Sequence, residues 1–178
     1  MLKSIATALV GAFVLMVQAA HAQVTVNISE GTLKPTPIAI PVFEAVGGDR
    51  QLAADITAVV QNDLLSTGLF TVTPESAYIQ RDLSINTQPR FADWKIIQTD
   101  ALVVGEVDRV TVEGVEFIRA SVRLWDVYGE EVMRLEGQAG RRFTAKPEDW
   151  RRIAHKIADT IYTRLTGEDP YFDSRIVY

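Results

Sequence analysis

Cysteine is absent from all 178 residues, and that absence excludes several classes at once. Such a chain has no disulfide framework, no lipidated N-terminal cysteine and no thiolate metal site, so burial of apolar surface must hold its fold. Histidine is scarce: the chain has two, and only His155 lies beyond residue 22. A catalytic triad or a multi-histidine metal centre would have to rest on that one imidazole. Basic charge is in deficit, with 18 Lys+Arg against 23 Asp+Glu and a net charge of -5. This balance argues against a nucleic-acid partner held by bulk electrostatics. The longest apolar run, residues 5–17, falls short of the roughly 20 residues a membrane-spanning helix needs.

What is present begins with an export signal. Lys3 supplies a basic start, residues 5–17 an apolar centre, and Ala20-His21-Ala22 the small-x-small pattern cut by signal peptidases. Cleavage after Ala22 is expected to make Gln23 the new N-terminus in an oxidising, extracytoplasmic compartment. The remaining length suits one domain with a genuine core and is too short for two large ones.

The exported chain opens on an alternation of Val24, Val26 and Ile28 with Thr25, Asn27 and Ser29, the period-two pattern of a half-buried strand. Residues 31–37, with Gly31 and two prolines, break it and read as a mobile linker. Residues 23–37 are thus expected to form a detachable strand and hinge. Residues 38–43 resume as a continuous apolar run, with Pro41 placing it near an edge or its end. Leu52, Ile56, Val59, Val60 and Leu64 then fall at spacings of three and four, predicting a helix that starts from Asp49 and closes at Gly68.

A short strand is expected over 69–73, a long polar excursion over 74–89, and a short helix around Phe91, Trp94 and Ile97. Strands are expected over 101–110, 115–126 and 130–139 as an antiparallel meander, with turns at Glu113-Gly114 and Tyr128-Gly129. Pro147 opens the last helix, whose stripe runs from Trp150 through Ile153, Ile157 and Ile161 to Leu165 and ends at Gly167. This order predicts an α/β (α+β) layer structure, a mixed sheet with its two main helices on one face.

Sites for chemistry are weak. His155 lies off the apolar stripe and reads as solvated. Glu148-Asp149 complements the positive end of a helix, and Glu130-Glu131 sits at a hairpin turn. Gly47-Gly48-Asp49 follows a strand and opens a helix as a phosphate cradle would, yet lacks the lysine and carries a repelling carboxylate. Arg141, Arg142, Lys146, Arg151 and Arg152 surround Trp150 as a basic cluster best read as a solvated face. Asn27-Ile28-Ser29 matches a glycosylation sequon by chance. A hydrolase built on a serine and lysine pair needs a cleft that no spacing reveals, so no catalytic residue, metal or cofactor is expected.

Residues 24–43, the helix end LLSTGLF, the block WKIIQTDALVVGEV, the strand VRLWDV and the ending from Trp150 to Tyr178 together resemble the N-terminal domain of the TolB family of the Tol-Pal system. The resemblance runs in order over residues 23–178. It implies a periplasmic, non-catalytic adaptor: an α/β domain over 38–167, then a linker and the first strand of a β-propeller over 168–178. In that family the propeller binds the lipoprotein Pal, so this chain, stopping at its first strand, is not expected to hold Pal by that route.

The resemblance further implies that the free N-terminus binds the C-terminal domain of TolA during division and envelope constriction. Carried onto this chain, that role falls on Gln23, Val24, Thr25, Val26, Asn27, Ile28, Ser29, Glu30 and Gly31. The expected membrane association is peripheral, through partners. A second reading, a periplasmic regulator that binds a cell-wall synthesis or secretion component through a preformed surface, would not need residues 23–34.

Overall fold

A computed structural model describes residues 34–174. The expected strand over 24–28, all nine residues of the expected TolA-binding segment, and the cleavage site at Ala22 and Gln23 lie outside the described residues.

Seven strands form one mixed sheet. Strand β1 (Thr36–Ala39) lies between β3 (Phe70–Val72) and β4 (Ala101–Val112) and is parallel to both. The two-residue β2 (Glu44–Ala45) continues along the same side of β4. The long hairpin of β4 and β5 (Val115–Asp126) carries the sheet, its tight turn at Glu113-Gly114 taking positive φ at both residues. Strands β6 (Glu131–Met133) and β7 (Arg141–Ala145) follow one another along the far side of β5. Helix α1 (Arg50–Ser66) and helix α3 (Trp150–Thr166) cover one face, while the short α2 (Phe91–Ile96) belongs to the other.

The alternation of side chains along the strands decides which layer each residue joins. Ile38, Ala101, Val103, Val107, Ile118, Ala120, Val122 and Leu124 face the long helices, where they meet Ile56, Val60 and Leu64 of α1 and Ile157, Ile161 and Leu165 of α3. Their neighbours of opposite parity, Ala39, Leu102, Val104 and Trp125, face residues 78–94. Gly105 lies on the helix face where the Phe43 ring crosses the sheet. A Cβ there would stand 2.7 Å from ring carbons, so the glycine is required by close approach.

The mixed sheet with two main helices on one face is as expected, and α1, β4 and β5 fall within two residues of their expected ends, while α3 starts at Trp150, three residues after Pro147, which instead opens a 3-10 turn over Pro147–Asp149. Three differences stand out. The expected strand over 130–139 is only β6; Leu135 and Gln138 then close a tight turn. A further strand, β7, occupies the beginning of the basic cluster, where two arginines masked an otherwise alternating segment. The apolar run 38–43 is not one strand: β1 starts earlier, at Thr36 inside the expected linker, and ends before Pro41, which has no N–H for a ladder.

Candidate functional site

The chain reaches the described domain at Lys34 and enters β1 almost at once. The Thr36 N–H donates to the Leu69 carbonyl at 2.8 Å, and the Asp100 N–H donates to that of Pro37 at 2.9 Å. Around this entrance lies a cavity of about 550 Å³ lined by Lys34, Pro37, Pro74, Ile97, Asp100 and Tyr128. Burial pushes the Asp100 carboxyl above the usual carboxylate range; Lys34 opposes the shift and Asp126 adds to it. Asp126 is itself buried and accepts from the Gly129 N–H at 2.8 Å, fixing the turn after β5. The root of the leading segment is therefore anchored to an interior strand of the sheet beside a recessed carboxylate.

The far end of the described chain is tied down differently. The Asp159 carboxylate accepts from the backbone N–H groups of Tyr171, Phe172 and Asp173 at 2.8–3.0 Å. Arg152 bridges to Asp173, and Tyr162, Tyr171 and Phe172 stack edge-to-face and tilted. Residues 170–173 are thus clamped along α3.

The residues weighed for chemistry have structural partners. Asp49 caps α1 by accepting from the Leu52 N–H and pairs with Arg109, and these two contacts hold its carboxyl below the usual range. His155 is not simply solvated: its Nδ1 lies 2.7 Å from Asp63, which joins α3 to α1. Glu130 pairs with Lys95 of α2. The basic cluster disperses, with Arg151 over the Trp150 ring at 4.5 Å, Arg152 on Asp173, and Arg141 on Glu136. Among the described residues no group of three metal-ligating side chains converges, and no helix is long and apolar enough to cross a membrane.

These observations define a sheet-and-helix α+β domain whose polar side chains serve the scaffold. Residues 24–133 match the family model of the TolB amino-terminal domain, and the chain belongs to that family. Over 161 residues it is 45% identical to the Tol-Pal system protein TolB of Paramagnetospirillum magneticum (strain ATCC 700264 / AMB-1), covering 89% of this chain and 34% of the relative. The crystal structure of TolB from Acinetobacter baumannii superimposes with a TM-score of 0.61 at 21% identity, over 79% of this chain and 30% of that one. The chain thus spans about a third of the length of these relatives. What the chain shares with the Tol-Pal system protein TolB is thus the amino-terminal domain of that family.

Proposed function

We propose that this chain is a non-catalytic adaptor of the Tol-Pal system that binds the C-terminal domain of TolA through Gln23 to Gly31. The observation that carries the reading is the family match itself, which begins at residue 24 and so includes the leading segment as well as the domain. Physical chemistry supplies the mode. An extended peptide can add a strand to an exposed sheet edge, its backbone giving affinity and its alternate side chains, here Val24, Val26 and Ile28, giving specificity. The described domain acts as the anchor for that peptide, since β1 follows it within a few residues. Coupling of the outer membrane to inner-membrane work at division is the role this adaptor would serve. Pal binding belongs to a propeller that these residues do not include.

The test is a calorimetric titration against the TolA C-terminal domain, using the chain from Gln23 and the same chain from Pro35. Binding by the longer chain alone is the expected result. Equal binding by both would move recognition to a preformed surface of the domain, the second reading above. Replacing Val26 by Asp should weaken binding and leave thermal unfolding nearly unchanged, because a detachable strand adds little to the core.

A further inference from the structure

The far edge of the sheet carries a second recognition feature, independent of the leading segment. Among the described residues β7 pairs only with β5, so its other side is an open strand edge. Beside that edge runs a groove walled by α3. One part, of about 680 Å³, is lined by Arg141, Phe143, Lys156, Thr160 and Arg164; the next, of about 260 Å³, by Arg142, Thr144, Ala145, Arg152 and Lys156. Phe143 and Lys156 line both, so the two parts are continuous along the whole of β7. An open strand edge flanked by a helix is the geometry in which an extended peptide adds as a further strand, with side-chain pockets on the helix side.

Charge selects the occupant. Most of the groove's carboxylates are committed: Glu136 to Arg141, Asp173 to Arg152 and Lys156, and Asp159 to three backbone N–H groups. Asp149 sits at the N-terminal end of α3, where the helix dipole favours it. Arg142 and Arg164, by contrast, enter no ion pair among the described residues. Arg164 stands on the α3 wall with the half-buried Phe143 ring, whereas Arg142 projects from the reverse face of β7, so a strand added at this edge meets the ring on one of its faces and Arg142 on the other. We infer that the edge of β7 beside α3 binds an extended, acidic peptide segment of a partner protein by strand addition, with an apolar side chain against Phe143 on the α3 side, a carboxylate at Arg142 on the reverse face and another at Arg164 towards the end of the groove.

The probe is an acetylated, amidated octapeptide alternating glutamate and valine, added to the full chain while backbone amide resonances are followed. Saturable shifts centred on residues 141–145 and on the groove side of α3 are expected. Arg142→Glu and Arg164→Glu should each weaken binding roughly tenfold, as for charge contacts at a partly desolvated interface. A twin peptide with methylated backbone nitrogens should not bind, since strand addition needs its N–H groups. Equal binding of a lysine–valine twin, or shifts centred on β3 at the other edge, would overturn the proposal. So would binding that appears only after removal of residues 23–31 or 175–178, or dimerisation of the parent chain through β7. The first makes a segment of this chain the occupant and the second a second copy.

Discussion

The two faces of the sheet are covered by different means. On one, α1 and α3 lay down aliphatic stripes against alternating Val, Ile, Leu and Ala, and packing is most of what holds the layers together, helped by Thr57 accepting from the Phe43 N–H and Gln61 donating to the Ile40 carbonyl. On the other, residues 74–98 form only a 3-10 turn and the six-residue α2, and the cover is aromatic: Tyr78, Phe91 and Trp94 over Trp125. Side-chain hydrogen bonds do there what helical periodicity does opposite. The buried Gln80 accepts at Oε1 from both the Arg90 N–H at 2.8 Å and the Trp94 indole N–H at 3.2 Å. Tyr78 donates to the Thr73 carbonyl, and the Thr73 and Thr99 hydroxyls bond each other. An irregular segment can cover a sheet tightly when most of its buried polar groups find partners; the exception here is on the sheet itself, where the buried Trp125 indole N–H has no partner among the described residues.

The strongest way to strain this contrast is to cut one large side chain on each face. Trp94→Ala should cost about 3–5 kcal/mol and Ile157→Ala about 2–5 kcal/mol in urea unfolding, both sites being fully buried. If Trp94→Ala unfolds residues 74–98 alone, seen as selective loss of amide protection there, the aromatic cover is a separate cooperative unit. Next in size is Gly105→Ala, which drives a methyl into the Phe43 ring and should cost about 1–3 kcal/mol. Adding Phe43→Leu should make the two changes strongly non-additive, and simple additivity would place the strain elsewhere.

Gln80→Leu probes the polar side of the contrast. It leaves the Trp94 indole N–H and the Arg90 N–H without their acceptor, and about 1–3 kcal/mol should be lost with little change in the helix face. A variant as stable as its parent would show that the aromatic rings alone suffice. The smallest effect is a pH dependence. Asp100 has a folded pKa above its unfolded one, so the native state holds its proton more tightly. Its contribution therefore falls as pH rises from the ordinary carboxylate value through the raised one, and is then constant. Asp100→Asn should accordingly raise the melting temperature slightly at neutral pH and leave it unchanged in acid.

The same contrast explains what could be read in advance. Helices α1 and α3 and the hairpin β4–β5 announce themselves because each buries a regular stripe over many residues, and periodicity is a local property. Residues 74–98 have no period because their buried members, Tyr78, Gln80, Ile85, Phe91 and Trp94, are chosen by contacts across the fold. Strand β7 is hidden in the sequence for a related reason. Its buried partners come from one side only, so Arg141 and Arg142 dominate its composition, and nothing nearby in sequence reveals that Val122 and Arg141 are cross-strand neighbours. The pairing of His155 with Asp63, 92 positions away, is equally invisible to local pattern. Of the candidate sites, the leading segment shows itself in its alternation and its family resemblance. The β7 groove needed the folded arrangement of a strand and a helix.

Strand β1 is short, but it stands between β3 and β4 and is bonded on both sides. A pull delivered through Lys34 along the axis of that strand would load both ladders together in shear, so several hydrogen bonds must yield at once. At an edge strand the same pull would peel bonds away singly. Attachment to an interior strand makes the domain a firm mechanical anchorage for whatever takes hold of the chain ahead of it.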